Sequence, residues 1–183
     1  MRVRLAMAAL LAAALAGTGG CAGGERPAAD PVRSQVAATE VAATEAPKPV
    51  PATLAFKGTT LEGKAFDAAS LAGRPTVLWF WAPWCATCFG QAASVADMQA
   101  QFGTKVNLLG IAGLGDTKEM KDFVTEGEVG NVTHLDDQAG AVWKKFEIAE
   151  QSTYVFLDRD GKVTSKGWMD SVDFEGKVAE VAG

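Results

Sequence analysis

The chain has 183 residues, with 17 Lys plus Arg against 22 Asp plus Glu, one His, three Cys and seven Pro. A single histidine, His134, leaves little room for a multi-histidine metal centre, and three cysteines cannot make a four-cysteine zinc knuckle. A net charge of −5 argues against any surface that tracks a nucleic-acid backbone, so no nucleic-acid partner is expected.

The chain opens with Arg2 and Arg4, then an apolar run from Leu5 to Ala16, then small residues up to Cys21. A basic start followed by an apolar run too short to span a bilayer is the pattern of an export signal, placed here at residues 1–20. Gly19-Gly20-Cys21 matches the end of a bacterial lipobox, with Thr18 where leucine is usual. On that reading Cys21 is lipidated and the protein touches the membrane only through this anchor, outside the cell. The competing reading is cleavage after Ala16, which leaves Cys21 as a free thiol on a secreted protein. Lipidation also accounts for the odd cysteine.

Residues 21–52 hold five of the prolines and the tandem pentapeptides Val36 to Glu40 and Val41 to Glu45. So little apolar bulk cannot support a core, and the segment reads as a disordered tether with a reach of about 30 Å. From Thr53 to Gly183 the texture changes to that of one folded domain. Leu54 to Phe56 and Lys64 to Phe66 suggest an N-terminal β-hairpin around Glu62-Gly63. Thr76 to Trp81 is a continuous β-favouring run, expected at the centre of the sheet.

A helix from Cys85 to Phe102 follows, because Val95, Met98 and Phe102 share one face. Val106 to Ala112 reads as a strand, Thr117 to Glu126 as a helix, and Asn131 to Leu135 as a short strand. A helix then carries Val142, Trp143 and Phe146. Tyr154 to Leu157 and Lys162 to Trp168 are strands joined at Asp160-Gly161, and Phe174, Val178 and Val181 mark a last helix. Strands alternating with helices, then a hairpin and a helix, predict an α/β fold with a mixed sheet covered on both faces.

Trp84-Cys85-Ala86-Thr87-Cys88 falls where the central strand turns into a helix. A thiol in the first turn sits at the positive end of the helix dipole, beside free backbone N–H groups that favour thiolate. The i, i+3 spacing puts the second sulfur on the same face, near enough to close a disulfide. Cys85 is then the attacking nucleophile and Cys88 the resolving thiol. A purely structural disulfide over so small a loop restrains the unfolded chain little. Zinc needs two further ligands, and only His134 and carboxylates remain, whereas copper binding by the two thiols and His134 is chemically allowed. His134 in a short strand reads more simply as structural, and no metal or other cofactor is expected. Asp158 to Gly161 begins like a calcium loop, but Lys162 and Met169 occupy positions that need oxygen ligands, so it reads as a turn.

Phe80-Trp-Ala-Pro-Trp-Cys-Ala-Thr-Cys88, preceded by Gly73-Arg-Pro75 and a hydrophobic strand, resembles the thioredoxin superfamily. More narrowly, it is similar to the exported TlpA/ResA/DsbE-type branch, including secreted DsbE-like proteins of actinobacteria. The resemblance covers residues 53–183. It implies a thioredoxin fold with an N-terminal β-hairpin extension and thiol-disulfide exchange at Cys85 and Cys88. Pro83, Trp84, Gln91, Gln151, Ser152 and Thr153 would shape the rim of the site.

The sequence departs from that pattern at three places. Gln91 and Ala93 stand where the exported reductases commonly carry Glu and Pro. Trp79 stands where thioredoxin has a buried Asp, so neither place supplies a carboxylate to the sulfurs. Ser152 occupies the position of the proline that faces the CxxC in thioredoxins, and no proline follows Pro83. The resemblance implies an extracytoplasmic thiol-disulfide oxidoreductase with exported protein thiols or disulfides as partners. A membrane redox partner to reset the pair and a monomeric state are also expected. Direction leans to oxidase, because Gln91 in place of an acid makes the Cys85 thiolate easier to form. The alternatives are a reductase for cytochrome c maturation and a non-catalytic copper- or protein-binding module.

Overall fold

The computed structural model describes residues 49–183. The export signal, Cys21 and almost all of the expected tether lie outside the described residues. Seven strands form one sheet: β1 (Lys57–Thr60), β2 (Ala65–Asp67), β3 (Thr76–Trp81), β4 (Asn107–Ala112), β5 (Thr133–Asp136), β6 (Thr153–Leu157) and β7 (Val163–Gly167). Their order is β2-β1-β5-β4-β3-β6-β7. β3, β4 and β5 run parallel, whereas β6 pairs antiparallel with β3 and β1 antiparallel with β5. The helices are α1 (Ala86–Phe102), α2 (Thr117–Glu126), α3 (Ala141–Lys145) and α4 (Ser171–Ala182).

β3 is buried at every position, as its unbroken apolar run predicts for a strand covered on both faces. Its alternation divides the core in two. Val77, Trp79 and Trp81 point to one side, where they meet Val95 of α1, Phe123 of α2 and Phe174 of α4. Leu78 and Phe80 point to the other, against Ile111, Trp143 and Phe146. The mixed, doubly covered sheet expected from the sequence is the fold observed.

Two local expectations shift. The first hairpin strand is Lys57–Thr60 rather than Leu54 to Phe56, and it pairs Gly58 with Phe66. Leu54 instead ends a short 3-10 turn, Ala52–Leu54, and is 1% exposed in the second core. Burial of that leucine outweighs its strand propensity. The Asp158 loop is the turn expected: one Asp158 oxygen accepts from the N–H groups of Asp160 (3.0 Å) and Lys162 (2.9 Å).

Candidate functional site

β3 ends at Trp81, and the chain turns through Pro83 and Trp84 into α1. Cys85 is the N-cap of that helix in extended conformation, and its Sγ accepts the Cys88 backbone N–H at 3.0 Å. A sulfur thereby takes the place of the usual hydroxyl or carboxylate cap, beside the unpaired N–H groups of a 17-residue helix. Cys85 and Cys88 are joined in a disulfide with Cα atoms 5.2 Å apart. Cys85 keeps 6% of its surface exposed and Cys88 none, so an incoming group meets Cys85 first.

The rim is apolar and open. Trp84 is 61% exposed, and its indole N–H donates to the Leu114 carbonyl at 2.7 Å. Leu114 itself sits at φ 57° and shows its side chain to solvent. Phe89, one turn into α1, is also exposed and packs edge-on against Phe123, which stacks on Trp81 at 4.2 Å. Sequence reasoning missed Leu114 and Phe89. The signal for Leu114 was a large apolar residue isolated between Gly113 and Gly115.

The three departures noted in the sequence meet in one place. The Ser152 hydroxyl lies 3.2 Å from Cys85 Sγ and 3.1 Å from Cys88 Sγ. A disulfide sulfur carries no hydrogen, so in the oxidised pair the hydroxyl is the donor. Gln91 Nε2 donates to the Ser152 carbonyl at 3.4 Å, and Gln91 Oε1 accepts from the Trp79 indole N–H at 2.9 Å. Ser152 adopts φ 64°, a left-handed conformation closed to proline, whose ring holds φ near about −65°. The backbone at this position is therefore not the one a proline would build.

The other expected rim residues divide. Pro83 packs beside Trp84, and Gln151 is half-buried on the loop before Ser152. The Thr153 hydroxyl donates to the Glu150 carbonyl at 3.0 Å and thus serves the loop's own geometry. Among the described residues Asp137 is the one buried acid, and its carboxylate accepts the first N–H groups of α3 instead of facing the sulfurs. His134 accepts from the Trp81 indole at Nδ1 (3.2 Å), so Nε2 carries the proton and donates to the Val129 carbonyl (3.1 Å). With both ring nitrogens engaged it offers a metal no lone pair. Glycine is required at 110, since a Cβ there would collide with His134 Nδ1.

A family model described as Redoxin matches residues 42–180. The soluble secreted antigen MPT53 of Mycobacterium tuberculosis is 40% identical over 111 residues, which cover 61% of this chain and 63% of that protein. The chain thus spans less than two thirds of that relative's length. Among solved structures, M. tuberculosis DsbF in mixed oxidised and reduced forms is 39% identical with a TM-score of 0.68, over 73% of this chain and 99% of DsbF. A secreted M. tuberculosis disulfide oxidoreductase homologous to E. coli DsbE is 36% identical with a TM-score of 0.64, over 70% of this chain and 97% of that one.

Proposed function

Because the chain belongs to the Redoxin family and has a thioredoxin fold, we propose that it is an extracytoplasmic thiol-disulfide oxidoreductase acting on exported proteins. The observation that carries this reading is the Cys85–Cys88 disulfide at the open N-terminus of α1, with its accessible sulfur beside an apolar rim. A substrate thiolate attacks Cys85 Sγ, forming a mixed disulfide and releasing Cys88. The substrate's second thiol then displaces Cys85, and the protein leaves with both cysteines reduced. Trp84, Leu114 and Phe89 give an extended polypeptide apolar surface against which to lie.

The direction we favour is oxidation of substrate dithiols. The groups around the sulfurs are neutral, and the Cys88 N–H, the helix N-terminus and the Ser152 hydroxyl all stabilise a thiolate. A stabilised reduced state is an oxidising one. The secreted relatives support a location outside the cytoplasm, with Cys21 as the proposed lipid anchor and residues 21–52 as the tether. Engagement of His134 with Trp81 and Val129 counts against a copper-holding module.

Cys85→Ser is expected to abolish oxidation of a dithiol peptide by the full chain while leaving its unfolding midpoint nearly unchanged. Cys88→Ser is expected to accumulate a mixed disulfide on Cys85 when offered a thiol-activated substrate. Retained turnover in Cys85→Ser would refute the reading.

A further inference from the structure

Four groups from distant parts of the chain form a continuous buried polar chain: the Trp79 indole, the Gln91 amide, the Ser152 backbone and hydroxyl, and the cysteine pair. Trp79, Gln91 and Ser152 are exposed by 1%, 5% and 6%, so no solvent competes for their hydrogen bonds. An indole N–H only donates, which fixes the Gln91 oxygen toward Trp79 and its NH2 toward the Ser152 carbonyl. Ser152 is thus held from behind while its hydroxyl faces both sulfurs at nearly equal distance. Every member of the chain is neutral.

We propose that Ser152 is a catalytic residue, its hydroxyl donating to whichever sulfur carries negative charge, with Gln91 and Trp79 as positioning residues that hold it there. This rests on the thiol-disulfide reading above. In the first step a substrate thiolate attacks Cys85 Sγ; the new S–S bond forms as the Cys85–Cys88 bond breaks, and the electron pair leaves on Cys88 Sγ. The hydroxyl, 3.1 Å away, donates to that thiolate until it takes up a proton.

In the second step the substrate's other thiolate attacks the substrate sulfur of the mixed disulfide. The substrate's S–S bond forms, and the electron pair leaves on Cys85 Sγ, 3.2 Å from the same hydroxyl. The substrate dithiol has lost two electrons and the cysteine pair has gained them. Of the two protons the substrate thiols release, one ends on Cys88 and one enters solvent. In the reduced pair the Cys88 S–H donates to Ser152 Oγ while Oγ–H donates to the Cys85 thiolate, so one hydroxyl satisfies both sulfurs. A proline at this position could supply neither bond.

The test compares the full chain with its Ser152→Ala and Ser152→Gly variants. Both lack the hydroxyl, but only glycine takes φ 64° without strain. The readouts are thiolate titration by ultraviolet absorbance and the equilibrium constant against glutathione. A hydrogen bond to a charged sulfur predicts that both variants titrate about one pH unit higher and are about tenfold less oxidising. Gln91→Leu is expected to shift both readouts the same way by a smaller factor.

A shift in the alanine variant alone would assign the effect to backbone strain and overturn the proposal, as would two variants that match wild type. Those outcomes leave the oxidoreductase reading intact if wild type oxidises a dithiol. If wild type does not exchange at all, that reading falls, while the titration still reports whether the hydroxyl touches a thiolate.

Discussion

An imidazolium at position 134 would make both ring nitrogens donors, and one of them faces another donor, the Trp81 indole N–H at 3.2 Å. Burial disfavours the charge further and lowers the His134 pKa from 6.5 to about 4, although the Val129 carbonyl pulls the other way. Between those two values the unfolded chain binds a proton that the folded one refuses. Stability from this group is therefore complete above pH 6.5 and is lost as pH falls toward 4. We expect urea unfolding to report about 2 kcal/mol less stability at about pH 5 than at about pH 7.5. His134→Gln should flatten most of that slope. A wild-type stability that stays level across this interval would show that the histidine is not held neutral.

The elements that matter most for the site are the two connections that meet above the β3 and β4 ends. The Leu114 carbonyl holds the Trp84 indole, and a Cβ on Gly115 would collide with the Pro83 ring. Gly115→Ala must push the rigid ring aside and carry Trp84 with it. We expect about 1–3 kcal/mol of destabilisation and a severalfold loss of exchange rate, measured by thermal unfolding and dithiol oxidation. Full exchange activity in a destabilised variant would show that this connection does not set the site's geometry.

Sequence patterns exposed some of these elements and hid others for physical reasons. The bounds of α2 coincide with expectation because its apolar face is regular and Asp116 with Glu119 forms a reciprocal cap. The strand β1 was displaced because Lys57 to Thr60 offers little apolar bulk and takes its register from β2 and β5. Cys85 and Cys88 were legible because local chain geometry alone brings them together. The chain from Trp79 through Gln91 to Ser152 was not, since its members lie 12 and 61 positions apart and meet only through the sheet. Each looked like a separate departure from a family pattern, and only the tertiary fold shows them as one array.

At the scale of the whole molecule, the redox couple and the folding equilibrium are linked. On the proposal above, folding gives the Cys85 thiolate two stabilising features that the unfolded chain lacks: the free N–H groups opening α1, that of Cys88 among them, and the Ser152 hydroxyl. On the proposed direction the folded pair is more oxidising than the same pair in the unfolded chain, and a thermodynamic cycle then requires that reduction stabilise the fold. The opposing effect is small, because the disulfide joins residues only three apart and so restrains the unfolded chain little. We expect the reduced protein to be more stable than the oxidised one by about 1–2 kcal/mol, corresponding to a difference of about 30 mV in potential. Urea unfolding with and without a dithiol reductant measures this directly, with the midpoint rising on reduction. A midpoint that falls on reduction would make the folded pair the more reducing one, and the proposed direction of exchange would have to be reversed.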